Sequence, residues 1–256
     1  MRGIVVYRRL VSRPLSSAFE SPEAKRRHVR RLFAVIADRY DLITRVLSYG
    51  MDRRWKRRLI ALAAVQPGER ALDLATGTGD VAFALAASGA AVAGLDVTHR
   101  MLQLAQAKQT GRGAPHVTWT TADMTALPFP RGAFEIVTTS YGLRNVPDLD
   151  QAVAEIVRVL APGGRFLSLD FNRPESRALR AIYLGYLGAV GAALGWALHG
   201  DPDTYRYIPA SIRRYPGAAG VADRLGRAGL ADVAVMPLLG GLMTIHVARA
   251  PQRPDR

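Results

Sequence analysis

After Pro67-Gly68 the chain alternates short apolar runs with helix-like segments, and this rhythm limits the fold more than any other feature. ALDLA (71–75), AVAGLD (91–96), HVTWTTAD (116–123), FEIVTTS (134–140), GRFLSLDF (164–171) and MTIHVARA (243–250) read as strands. The segments near 79–88, 98–109, 148–160 and 219–229 read as helices between them. Alternation of this kind builds parallel βαβ units and a doubly wound α/β sheet with helices on both faces. A chain of 256 residues has length enough for one such domain with a substantial core, expected here over 26–256.

The sequence contains no cysteine, which removes disulfides, thiolate nucleophiles and Cys-ligated metal centres together. Catalysis must then rest on oxygen and nitrogen groups or on a cofactor, and no metal site is expected.

The formal net charge of +14 is unevenly spread. Residues 1–58 hold 16 Lys and Arg against 5 Asp and Glu, whereas residues 59–256 hold 19 against 16. A basic face suits an anionic partner, either membrane headgroups or nucleic acid. The plain alternative is an arginine-rich composition. The first twenty residues carry no acid before Glu20 and lack the long apolar core of a secretory signal. Residues 1–25 are therefore expected to form a disordered basic extension. From Ser21 a Ser-Pro-Glu start, followed by Val29, Leu32, Phe33, Ile36 and Tyr40 at helical spacing, predicts an amphipathic helix with a basic polar face. It opens a helical lid over 26–66.

One segment breaks the rhythm. Ala181 to Leu198 is uncharged for about eighteen residues, the lower edge of what spans a bilayer. Its glycines and its place inside the α/β pattern favour an apolar helical cap, inserted over about 175–215, that would suit a greasy ligand.

The run Asp73-Leu74-Ala75-Thr76-Gly77-Thr78-Gly79-Asp80 lies where the first strand turns into the first helix. Glycines at Gly77 and Gly79 let the backbone approach a ligand, and the helix start offers free N–H groups. In a dinucleotide site this turn would take a pyrophosphate and Asp96 a ribose hydroxyl, which gives a nicotinamide-dependent dehydrogenase as one reading. Two details favour S-adenosylmethionine. Asp73 opens the turn with an acid, which suits a cationic ligand, and Asp123 with Met124 follows the third strand, where an acid and a backbone group can read an adenine edge.

Further residues resemble the ubiquinone/menaquinone biosynthesis C-methyltransferases, over about Arg31 to Ala248. Tyr40-Asp41-Leu42-Ile43 followed by Ser48-Tyr49-Gly50-Met51-Asp52-Arg53-Arg54-Trp55 resembles that family's first signature. Ser140-Tyr141-Gly142-Leu143-Arg144-Asn145-Val146 and Tyr205-Arg206-Tyr207-Ile208-Pro209-Ala210-Ser211-Ile212 are the more discriminating matches, and Arg158 to Pro174 is similar to its second signature. Thr44, Asp52, Thr76 and the pair Asp170/Asn172 depart from the usual residues. The resemblance implies a Rossmann-like, mostly parallel seven-stranded sheet with an S-adenosylmethionine site. Carried over residue by residue, it implies cofactor contacts at Thr78, Asp96, Asp123, Met124 and Ser140.

The implied reaction is C-methylation of the ring of a polyprenylated quinol. Ionisation of a ring hydroxyl makes the neighbouring carbon nucleophilic, so the protein must align the partners, stabilise phenolate and exclude water. Arg144, following the fourth strand, is the expected phenolate-stabilising residue. Asn145 is expected to bond the same oxygen and Tyr40 to line the ring from the lid. His246 is expected to be a core residue. The expected partners are the quinol, an anionic membrane met peripherally by a cytoplasmic protein at the inner face of the cell membrane, and a second copy in a homodimer. No nucleic acid is expected, because no basic groove interleaved with aromatics is present. A methyltransferase for another lipid or aromatic molecule is the neighbouring alternative.

Overall fold

The computed structural model describes residues 15–48, 50–112 and 114–252. Residues 1–14, most of the expected extension, and Tyr49 of the first signature lie outside the described residues.

The lid comes first. α1 (Pro22–Ile36) begins as the sequence predicts, with Pro22 in its first turn and the Ser21 hydroxyl accepting the Ala24 N–H at 3.1 Å. A 3-10 turn (Ala37–Arg39) leads to α2 (Tyr40–Leu47) and α3 (Asp52–Ala63). The disorder expected through residue 25 is corrected from Leu15 onward. Leu15–Phe19 forms a 3-10 turn, the Phe19 ring stacks on Tyr207 at 5.7 Å, and the Arg214 guanidinium lies 4.1 Å from the Phe19 centroid. An aromatic anchor with a cation over its face gives this short segment a reason to stay on the body of the protein.

The sheet contains β1 (Arg70–Leu74), β2 (Ala91–Asp96), β3 (Val117–Thr121), β4 (Phe134–Ser140), β5 (Leu160–Phe171), β6 (Ala231–Leu238) and β7 (Met243–Arg249), in the order β3-β2-β1-β4-β5-β7-β6. All pairings are parallel except those of β7, which runs antiparallel to both neighbours. β6 has no counterpart among the sequence-predicted strands. Pro237 argues against a strand on sequence alone, but β6 is an edge, where a missing N–H costs no ladder bond.

Between the strands run α4 (Asp80–Ala87), α5 (His99–Arg112), α6 (Leu149–Val159) and α9 (Gly217–Arg227). The period-2 pleat separates two cores: Leu72, Leu74, Val137 and Phe166 pack with α6 and α9 residues, while Ala71, Ile136, Leu167 and Leu169 pack with α3 and α4 residues. His246 is satisfied inside the sheet, its ring nitrogens 3.3 Å from Ser168 Oγ and 2.9 Å from the Ala218 carbonyl.

The apolar insertion is helical: α7 (Arg177–His199), a 3-10 turn (Pro202–Tyr205) and α8 (Tyr207–Arg214). Its glycines have a packing reason. A Cβ on Gly195 would come within 2.4 Å of the Asp201 carbonyl oxygen, and one on Gly191 within 3.1 Å of Tyr205 Cβ. One face of α7 is thus fixed by Tyr183, Leu184 and Leu187, while Ile182 and Trp196 face outward. By length and composition α7 could cross a membrane.

Candidate active site

Reversal of strand order beside β1 leaves a crevice beyond the carboxyl ends of β1 and β4, where doubly wound sheets bind ligands. A cavity of about 70 Å³ occupies it, walled by Gly77 after β1, Asp96 ending β2, Asp123 and Met124 after β3, and Ser140 ending β4. The lid closes it with Arg26, Phe33 and Tyr40.

The Asp96 carboxylate accepts the Gly77 N–H at 2.9 Å and the Thr98 N–H at 2.7 Å, which fixes the glycine turn against the second strand. Burial pushes its carboxyl up to about 6, against the opposing pull of those N–H groups. Asp123 accepts from Thr125 N–H at 2.9 Å, Thr125 Oγ1 at 2.7 Å and Arg26 Nε at 2.7 Å. Burial raises its carboxyl, but these donors outweigh burial and hold it below the ordinary aspartate value. Ser140 Oγ is buried without a hydrogen-bond partner.

Three residues expected at this site stand behind it. Asp73 does not line the cavity: the pleat turns it away from Leu72 and Leu74, and its carboxylate accepts from Thr76 Oγ1 at 2.6 Å and Thr138 Oγ1 at 2.7 Å. Burial pushes it up to about 6, against the pull of those two hydroxyls and of the Lys56 charge. Gly79 also stands off, because a Cβ there would come within 2.8 Å of Phe83 and Trp119. Thr78 points to the lid, donating from Oγ1 to Asp41 at 2.6 Å; Lys108 Nζ joins both, at 2.7 Å from Asp41 and 2.8 Å from Thr78.

A second cavity of about 250 Å³ adjoins the first, and Phe33, Tyr40, Tyr141 and Asn145 wall both. Its surface is largely apolar, from Leu32, Ile36 and Ile43 of the lid and Tyr183, Tyr186 and Leu187 of α7. Arg144, in the 3-10 turn Leu143–Asn145, reaches it from below and is buried. Its Nε stands 3.5 Å from Asp170 Oδ1, its backbone N–H donates to Asp170 Oδ2 at 3.1 Å, its guanidinium donates to Ser211 Oγ and lies 5.0 Å from the Phe171 centroid. Burial raises the Asp170 carboxyl and the Arg144 charge opposes that rise. Asn145 donates from Nδ2 to the Tyr141 carbonyl at 2.8 Å and leaves its Oδ1 without a partner.

Arg26, Asp41 and Lys108 carry no local sequence signal, because each partners a residue remote along the chain. Tyr141 stands in the sequence as one member of a motif. The local signal for it is conformational: a tyrosine at φ 62 followed by Gly142.

Known proteins sharpen this picture. The model of the ubiE/COQ5 methyltransferase family matches residues 21–250. A demethylmenaquinone methyltransferase of Thermus thermophilus is 42% identical over 222 residues, covering 86% of this chain and 100% of that protein. A ubiquinone/menaquinone biosynthesis C-methyltransferase of Rubrivivax gelatinosus is 39% identical over 238 residues, covering 91% and 93%. Among solved structures, a methyltransferase-like protein of Bacillus halodurans aligns with a TM-score of 0.56 at 21% identity over 77% of this chain and 99% of that one. The phosphoethanolamine N-methyltransferase 2 of Haemonchus contortus aligns at 0.59 and 15% identity, over 78% and 53%. These two show the shared fold.

Proposed function

The chain belongs to the ubiE/COQ5 methyltransferase family, and on that premise we propose that it transfers the methyl group of S-adenosylmethionine to a ring carbon of a polyprenylated quinol, a demethylmenaquinol or a benzoquinol. The observation that carries this reading is the pair of adjoining cavities, one presenting the carboxylates of Asp96 and Asp123, the other without an acid among the described residues of its wall, with Phe33, Tyr40, Tyr141 and Asn145 as their common wall.

The residues of the smaller cavity suit S-adenosylmethionine. Gly77, at φ +57, presents no side chain to the cavity, Ser140 Oγ lacks a partner, and Asp96 and Asp123 retain acceptor capacity for hydroxyl and amino donors. S-adenosylmethionine supplies an electrophilic methyl, which the ring carbon takes as the carbon–sulfur bond breaks and a ring proton is later lost. The lid helices α1 and α2 exclude water from the shared wall. Arg144 holds a positive charge beneath the apolar cavity, where it favours an ionised ring hydroxyl, and Asp170 keeps that charge from being an isolated buried cation. Asn145 lines both cavities with its Oδ1 unpartnered, an acceptor for a hydrogen bond from a ring hydroxyl.

The mouth of the apolar cavity supports peripheral membrane contact. Leu179, Ile182 and Leu239 line the cavity and yet are 39%, 71% and 41% exposed. Leu42 and Val46 on α2, which packs against α7, extend this apolar rim, and Arg45 and Arg177 stand exposed on the same helices. Apolar side chains flanked by arginines match an anionic bilayer, from which a polyprenyl tail would enter.

The test is direct. Purified protein is incubated with methyl-labelled S-adenosylmethionine and reduced demethylmenaquinol or benzoquinol acceptors, and products are resolved by mass spectrometry. A carbon-methylated ring is expected; methylation confined to oxygen, or none with either quinol, overturns the reading.

A further inference from the structure

The Tyr141 ring packs in the core beside Phe171, centroids 5.6 Å apart, but its backbone and its hydroxyl carry features that this packing does not explain. It follows β4 at φ 62, a left-handed conformation that costs a bulky side chain on the order of 1–3 kcal/mol. Its backbone is held there from two sides: its N–H donates to the Leu169 carbonyl at 2.7 Å, and its carbonyl accepts the Asn145 amide at 2.8 Å. Gly142 makes the bend feasible, since a Cβ at that position would fall 2.3 Å from Thr139 Oγ1. All this turns a phenol into the wall shared by the two cavities, where its hydroxyl is buried and has no hydrogen-bond partner. A buried hydroxyl left unpaired costs free energy, and one carried by a residue of a cavity wall gains a partner if an arriving ligand reaches it.

We propose that Tyr141 is a substrate-contacting catalytic residue whose phenol donates a hydrogen bond to the quinol oxygen beside the carbon that is methylated, so that the ionised ring lies across the shared wall facing the methyl donor. The inference rests on the quinol reading above and adds the group that aligns the ring. Burial, with Tyr40 of α2, Asp52 of α3, Asp170 of β5 and Tyr183 of α7 around it, holds the phenol well above its ordinary value, so it remains a proton donor. Arg144 supplies positive charge without entering the wall of the cofactor cavity, and Tyr207, whose hydroxyl is also unpaired, lines only the apolar cavity. Among the described residues, Tyr141 is therefore the unpaired phenol that lines both cavities.

Tyr141→Phe keeps the ring and the backbone preference and deletes only the hydroxyl. Because that hydroxyl is unpaired in the free protein, the variant's Tm should equal or exceed that of the parent chain, and its S-adenosylmethionine affinity by calorimetry should be unchanged. Its kcat/KM for the quinol should fall about 10- to 100-fold, the loss of one hydrogen bond to a charged oxygen. The acid limb of the pH profile should also move to higher pH, since the quinol loses a donor that favours its ionised form. The inference is overturned if kcat/KM stays within about twofold with the limb in place, or if activity falls together with Tm or cofactor affinity. If the parent protein methylates no quinol, it is the reading of the substrate that fails. If it does and the variant matches it, only the role of Tyr141 fails.

Discussion

Arg144 and Asp170 form a buried ion pair under the apolar cavity, with Nε 3.5 Å from Oδ1 and the Arg144 backbone N–H 3.1 Å from Oδ2. A buried pair is weak evidence of stability, but breaking it strands a charge. Arg144→Ala should therefore lower stability by roughly 3–5 kcal/mol as well as abolish turnover. The double variant with Asp170→Ala should lose much less than the sum of the two single variants. Denaturant unfolding of the four proteins measures this coupling, and additive losses would show that the pair is not energetically linked. Because Arg144 does not line the cofactor cavity, S-adenosylmethionine affinity should change little in any variant that stays folded.

The lid is joined to the sheet through Asp41, which receives Thr78 Oγ1 at 2.6 Å and Lys108 Nζ at 2.7 Å, and through Arg26 on Asp123 at 2.7 Å. These partly exposed pairs are screened by salt. Asp41→Asn should speed cofactor association and dissociation together, and added salt should act in the same direction on the unaltered protein. Stopped-flow binding checks this, and rates indifferent to both changes would remove the lid from the path of entry.

If Asp96 holds the cofactor as proposed, binding should depend on pH. Burial raises its carboxyl to about 6, above the ordinary aspartate value, so the free protein takes up a proton there as pH falls through 6. A bound hydroxyl donor needs the carboxylate. Affinity should then be full above pH 7 and weaken by up to about tenfold per unit below 6. The linked stability has the opposite sense. A raised carboxyl destabilises the free fold at neutral pH, so this group's contribution becomes more favourable as pH falls from about 7 towards 4. Asp96→Asn should flatten the pH dependence of affinity while weakening binding throughout, as calorimetry between pH 5 and 8 would read.

Ile182, 71% exposed at the mouth of the apolar cavity, should contribute to lipid binding. Ile182→Glu places a charge where neither the core nor the cofactor cavity is touched. It should leave Tm within about 0.5 kcal/mol equivalent and reduce co-sedimentation with vesicles containing anionic lipid. Equal sedimentation of both proteins, with or without anionic lipid, would discard this face as a docking surface.

Apolar runs predict strands at the places where β1, β2, β3, β4, β5 and β7 stand, because a strand in a sheet covered on both faces must be largely apolar whatever it pairs with. The same logic places Gly77, Asp96, Asp123, Met124 and Ser140 at successive strand ends, and they meet in one crevice. Such positions are local properties of the chain, as is the Ser21 cap of α1. Asp73, Thr78 and Gly79 lie in the right motif, but the pleat and the lid direct them elsewhere; which face a side chain takes is a matter of register, not residue type.

Periodicity and strand-end chemistry act over a few residues, so the alternating α/β core, the crevice residues at its strand ends and the apolar character of the insertion are legible in the chain alone. Which charges meet depends instead on long-range packing. Arg26 reaches Asp123 across 97 positions, Arg144 reaches Ser211 across 67, and Thr78 reaches Asp41 across 37. The same long-range packing brings the lid and α7 together around one apolar cavity and leaves the Tyr141 phenol without a partner in its wall. Pairings of this kind arise when the whole sheet closes and strands and helices from distant parts of the chain share one surface, which no window of sequence contains.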